Sequence, residues 1–302
     1  MDVLLVQNLM YWLVLGSIYA LVALGFSLLF GVLNVIHFSH GDVAMVAPFV
    51  TLAMVQALAA SAGTAGALVL ASALAIVVVG LIGVLADWLV IRRFRSAPAM
   101  MALVATVALG TVIRELIRMV YPQGSNPKPF PRLIEARIML GELPVPLFSL
   151  FVIAVSVAMM AALFALMRHS PLGMRITAVA EDRATARLMA IRPGRIFAAT
   201  FFIASAVGAI GGLFFASYAG VVRFDFGIQL GLIGFSAAVV GGLGSMQGAI
   251  LGSLLIAGID TLVQATMAEG ASYRLVFAFL LVILVLVLKP SGLLGRPVVE
   301  KV

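Results

Sequence analysis

Six stretches of this chain contain no Asp, Glu, Lys or Arg: Val3–Gly41, Val43–Ala86, Ser96–Ile113, Leu143–Met167, Ile196–Val222 and Phe226–Ile259. A helix crosses the bilayer core with roughly 18–20 apolar residues, so each stretch supplies at least one crossing and several supply two. An ordinary soluble domain is about one quarter charged. This chain is 10% charged and 64% hydrophobic, with mean hydropathy +1.22, which excludes a soluble globule. Within lipid only helices and closed barrels satisfy their own backbone groups. The stretches are rich in Gly and Ala and show no repeated ten-residue alternation, so they predict a helical bundle.

Membrane segments are predicted near residues 8–30, 43–60, 67–91, 99–120, 147–167, 196–219, 229–244, 248–266 and 274–289. The reading is an all-α polytopic membrane protein of about nine (8–10) transmembrane helices in a single domain over residues 1–302. The breaker runs Ser61–Gly66 and Gly241–Gly248 divide the second and the last of these apolar stretches. The start, Met1-Asp2-Val3, lacks a basic n-region, so the first span is expected to be retained. The loop 92–95, the island 168–195 and the tail (Lys289, Arg296, Lys301) hold most of the 19 Lys and Arg residues. Positive-inside then places island and C-terminus in the cytoplasm, and nine crossings leave the N-terminus outside. If 31–42 or 241–248 is re-entrant, the count changes and the island stays inside. The +7 net charge lies beside the spans, so it reads as topology and no nucleic-acid partner is expected. With no cysteine, disulfide and thiol chemistry are excluded.

The island is the longest polar segment. Ala180, Ala184, Leu188 and Ile191 recur at helical spacing, with Arg183 and Arg187 on another face. This predicts a short amphipathic helix, closed by Pro193-Gly194, that either contacts a soluble partner or lies on the headgroups. The outer loop 121–146 begins with a Pro-rich run that forbids helix; it is a connector or a docking surface. Small residues four apart, Gly208/Gly212, Gly227/Gly231 and Gly248/Gly252, allow close helix approach within the chain or between subunits.

Ionisable residues inside spans are costly and few. Arg114, Glu115 and Arg118 lie near an outer helix end, where long side chains snorkel and Glu115 reaches Arg118. Asp87 reads as an interface anchor close to Arg92. Asp260 is a lone carboxylate: protonated, bonded to another helix, or facing a water-filled path. His37, His40 and Asp42 are three possible metal ligands where structural zinc takes four. The preferred reading is a polar break whose backbone is satisfied by Asn34, Ser39 and Asp42. Asn34, His37, His40, Asp42 and Asp260 are the candidates for lining a translocation path. No nucleophile–base set, zinc motif or P-loop occurs, so no metal or other cofactor is expected in this chain and any ATPase must be another one.

Four segments together carry a resemblance: Gly25–Asp42, Pro171–Ile191, Val240–Ala249 and Lys289–Val302. They resemble the high-affinity branched-chain amino acid ABC transporter permeases, the H-type subunits in particular. The resemblance implies an importer in a bacterial inner membrane. Its partners would be a second homologous permease, two cytoplasmic ABC ATPases that carry ATP and Mg, and a periplasmic amino-acid-binding protein. It makes Ala180, Glu181, Asp182, Arg183, Ala184, Arg187, Leu188 and Ile191 the coupling segment. Asp182-Arg183 replaces the family's alanine pair, Ala190 stands where glycine is frequent, and His37 stands where asparagine is usual. Permeases for urea, short amides and other amino acids share the pattern. The competing class is a self-contained secondary transporter, for which Asp260 is the one good coupling site.

Overall fold

The computed structural model describes residues 3–295 apart from 96, 133, 135, 141–142 and 268. Arg296 and Lys301 of the basic tail lie outside the described residues. The helices are α1 (Val3–Leu33), α2 (His40–Ala44), α3 (Val46–Ala86), α4 (Arg92–Phe94), α5 (Ala99–Val120), α6 (Leu147–His169), α7 (Pro171–Glu181), α8 (Arg183–Leu188), α9 (Pro193–Ala219), α10 (Phe226–Gly241), α11 (Met246–Thr266) and α12 (Gly270–Leu288). A π-helical turn, Asp87–Ile91, joins α3 to α4. The strands are β1 (Lys128–Pro129), β2 (Arg137–Leu140), β3 (Leu143–Pro146) and β4 (Val221–Val222). They form two small antiparallel ribbons, β1 with β4 and β2 with β3. The protein is therefore an all-α polytopic membrane protein. Among the described residues six helices are long and apolar enough to cross a bilayer, and three apolar helices are shorter.

α1 and α9 form the centre. Both are apolar around their whole circumference, as expected of helices enclosed by others. Tyr19, Leu21 and Val22 of α1 and Phe201, Ala204 and Ala209 of α9 are fully buried. α5, α6 and α12 keep many large apolar side chains on the outside, among them Val104, Leu116, Val157, Leu280 and Val287.

α3 runs over 41 residues, Ser61–Gly66 included. As a straight rod it would be about 62 Å long, twice the bilayer core. Yet Ala44, just before it, lies against Gly212, while Gly83 near its end lies against Phe201 and Ser205. Residues 201 to 212 of α9 span only about 17 Å. α3 therefore turns back on itself; its second arm, within Gly66–Phe94, is long and apolar enough to cross a bilayer, and its first belongs to the shorter apolar helix His40–Val55.

The polar ends sort into two faces. The C-terminal end of α1, the island, the α10–α11 turn and residues 292–295 share one: Arg183 donates to the Leu33 carbonyl, and Leu293 and Leu294 donate to Val240 and Gly241. Loop 92–95 joins them, since Arg95 and Arg183 both stack on Phe197. The opposite face carries β1–β4 and the 121–146 loop.

Candidate functional site

α1 stops at Asn34, which adopts the left-handed conformation (φ 55) that asparagine tolerates better than most residues. The chain then climbs back into the bundle without helical structure. His40, the first residue of α2, lies against Gly25, about 12 Å up α1 from its end. Irregular backbone at this depth survives only inside protein. His37, Ser39 and His40 are indeed buried.

The partners differ from those the sequence suggests. The Phe38 amide donates to Thr106 Oγ1 of α5 (3.2 Å), while Ser39 Oγ lies 3.2 Å from His37 Nε2 and makes no helix cap. Asp42 does not serve the backbone: it accepts from Arg114 at 2.6 Å. Arg114 therefore does not snorkel. It reaches inward because Gly110, one turn earlier, leaves room for the carboxylate. The His37 and His40 rings lie 6.5 Å apart, centroid to centroid, and Asp42 pairs with Arg114; among the described residues the three form no metal-ligand group. Glu115 and Arg118 pair on the exposed side of α5 (2.5 Å).

Asp260, 3% exposed, is held from three helices. It accepts from Tyr19 on α1 (2.7 Å), Gln264 on its own α11 (2.7 Å) and Arg274 on α12 (3.0 Å). Of the three readings of this carboxylate, the helix-to-helix bond is the one observed. Asp87 pairs with Arg95 where Arg92 is closer in sequence. The glycine pairs are all in use within the chain. Gly208 and Gly212 face His40 and Ala44, Gly227 and Gly231 face Asp42 and Gly41, and Gly248 and Gly252 face Gly241 and Ala237.

The island is not one amphipathic helix. Asp182 leaves the helical conformation (φ −152, ψ 113), and its carboxylate accepts from the Ala184 and Thr185 amides at 2.7 and 3.2 Å. That is an N-cap, and it splits the island into α7 and α8. α8 closes with paired bonds, Ile191 N to Ala186 O and Ala190 N to Arg187 O, around Ala190 at φ 58. This is the Schellman arrangement, whose left-handed position glycine fills best.

Ala186 turns inward, Ile191 is half-buried, and Ala180, Glu181, Asp182, Ala184 and Arg187 are exposed. Leu188 (86%) and Met189 (73%) stand out as an apolar knob. Arg183 belongs to the body of the protein, not to a rim. Its guanidinium donates to Leu33 O (3.0 Å) and lies over Phe197, and burial together with the Arg95 charge lowers its pKa.

Of the path candidates, Asn34 borders a large cleft of about 700 Å³, enclosed by α1, α6, α7 and the α10–α11 turn. His37 touches a space of only about 10 Å³. A second cleft, about 330 Å³, opens at the opposite face, with Arg132, Arg137, Tyr11 and Tyr218 among its walls. Thr106, Tyr19, Gln264 and Arg274, which position these groups, were not singled out from sequence. Arg274 carried the one available signal, a lone cation at the start of an apolar helix.

The family model for the branched-chain amino acid transport system permease component matches residues 8–286. The chain is 31% identical over 303 residues to the high-affinity branched-chain amino acid transport system permease protein LivH of Escherichia coli (strain K12). The alignment covers 98% of this chain and 97% of that protein. The permease protein BraD of the corresponding Pseudomonas aeruginosa system is also 31% identical, with the same coverage. A solved structure, PsaBC from Streptococcus pneumoniae in complex with Fab, aligns over 93% of this chain and 90% of that one at 12% identity. Its TM-score of 0.46 is too low to carry a conclusion.

Proposed function

This chain belongs to the family of branched-chain amino acid transport system permease components, and from that premise we propose that it is a permease subunit of an importer for leucine, isoleucine and valine powered by separate ABC ATPases. The observation that carries this reading is the end-to-end alignment with LivH, 98% of one chain on 97% of the other. The basic face is the cytoplasmic side of a bacterial inner membrane. There the exposed Leu188 and Met189 fit a groove on an ATPase, one per permease, with a second homologous permease completing the pair. ATP and Mg are held by the ATPases, and this chain needs no cofactor. The 121–146 loop on the other face is where a periplasmic binding protein delivers the solute.

The geometry supplies a transmission route. A force on α8 is felt by Arg183, and through its bond to Leu33 O by the end of α1. Beyond it lies Asn34, the left-handed joint between α1 and the re-entrant segment. ATP-driven movement of the island would therefore shift α1 relative to α2 and change which face the bundle opens to. Residue packing in such a path separates side chains that differ by a methylene by only about 1–3 kcal/mol, so the binding protein sets selectivity.

Reconstitution tests this. Leucine uptake into proteoliposomes is expected only with the second permease, the ATPases, the binding protein and ATP all present. Uptake by this chain alone, driven by a proton or sodium gradient, would replace the proposal with a secondary transporter.

A further inference from the structure

Four arginines from two separate segments meet at the basic face. Arg92 and Arg95 come from the end of the second α3 arm, and Arg183 and Arg187 from α8. With Phe197 and the Pro193-Gly194 start of α9 they line an open cleft of about 340 Å³. Among the described residues only Arg95 of the four is in an ion pair, with Asp87, and its Nε is buried without a partner. Such crowding of like charges is unfavourable without a counter-ion, and burial together with the Arg95 charge already depresses the pKa of Arg183. α9 adds the partial positive charge of a 27-residue helix, and its cap residue Arg192 places no side-chain acceptor on the first amides. Pro193 has no amide hydrogen and the Arg195 and Ile196 amides donate to Arg192 O, but a Cβ on Gly194 would meet nothing within 4 Å, so the approach to its amide is clear.

The surface next to this cleft is equally specific. Leu81, Leu85, Trp88 and Leu89 are exposed and run down the second arm of α3 toward Arg92. Apolar side chains there face acyl chains, and a tryptophan at the end of the run marks the headgroup level. A ligand spanning cleft and stripe has an anionic head and a hydrocarbon tail. Basic pockets between membrane helices bind such heads.

We propose that this cleft is a binding site for the phosphate group of an anionic phospholipid, with the headgroup among Arg92, Arg95, Arg183 and Arg187 and an acyl chain along Leu81–Trp88. The bound lipid joins α8 to the α3 arm through a shared counter-charge, so it holds the island against the bundle. The site is independent of which solute is transported.

Trp88 lies beside the site and reports it directly. The full-length chain, with Trp12→Phe to isolate the signal, is placed in phosphatidylcholine vesicles containing increasing brominated phosphatidylglycerol or brominated phosphatidylcholine. Quenching of Trp88 should show selective binding of the phosphatidylglycerol. Each arginine near such a headgroup strengthens binding about fivefold, so Arg92→Gln with Arg187→Gln should weaken it about 25-fold. The pair Arg93→Gln and Arg195→Gln removes the same charge outside the cleft and should leave binding unchanged. Millimolar inorganic phosphate should not compete. Equal quenching by the two lipids, equal losses in both double variants, or displacement by free phosphate would each overturn the proposal. The last would make the ligand a soluble phosphate.

Discussion

Ala190 holds a φ of 58 at the end of α8, a conformation an L-residue with a Cβ adopts at a cost of about 1–2 kcal/mol. The cost is accepted because Ala190 N and Ile191 N there satisfy two carbonyls of the last turn. Glycine removes the clash but loses roughly 0.5–1 kcal/mol more backbone entropy on ordering. Ala190→Gly is therefore expected to stabilise α8 by about 0.5–1 kcal/mol, and amide exchange in residues 183–189 should slow by about threefold. Faster exchange there would show that Ala190 is not under strain. The identity of this position was legible as an unusual alanine where the family has glycine. Its backbone conformation was not, because nothing local in Met189-Ala190-Ile191 announces a left-handed residue. The Asp260 cluster shows the same limit at longer range. A lone carboxylate in an apolar segment signals that partners must exist, but Tyr19 and Arg274 sit on other helices, and only packing brings them together.

α8 is where element and function meet. An aspartate at Leu188 puts a charge where a closely fitting apolar groove would have to bury it unpaired, at several kcal/mol. Leu188→Asp is expected to abolish co-purification of the ATPase and transport while leaving the permease inserted, because Leu188 touches little of its own chain. Arg183→Ala is expected to leave the ATPase bound yet cut transport severalfold, since it unhooks α8 from Leu33. If Leu188→Asp keeps both ATPase and full transport, α8 is only a surface helix. At this scale the spans were legible from absent charge alone. The failures have physical causes. The expected 180–191 helix overlooked Asp182, whose capping geometry with Thr185 outweighs the apolar periodicity around it. The climb of residues 34–39 back into the bundle was left open because Val35, Ile36 and Phe38 are as apolar as the span they follow.

For the molecule as a whole, the two faces fix a topology that engineered cysteines can read, since the native chain has none. In intact cells Met189→Cys and Leu294→Cys should resist membrane-impermeant thiol reagents, and Ser125→Cys should react. Labelling of Met189→Cys from outside would invert the orientation. These positions suit the test because each is exposed, whereas Ser170 caps α7 through Gly173 N. The re-entrant segment has a further consequence, which concerns time. Its socket is walled by Gly208, Gly227 and Gly231, far downstream in the order of synthesis. At about 5–20 residues per second, roughly eight to forty seconds separate the emergence of His40 from that of its neighbours on α9 and α10. During that interval His37, His40 and Asp42 have no protein interior to enter and lipid cannot take them. The re-entrant segment in the first third of this chain therefore cannot complete its packing until the last third arrives to close around it.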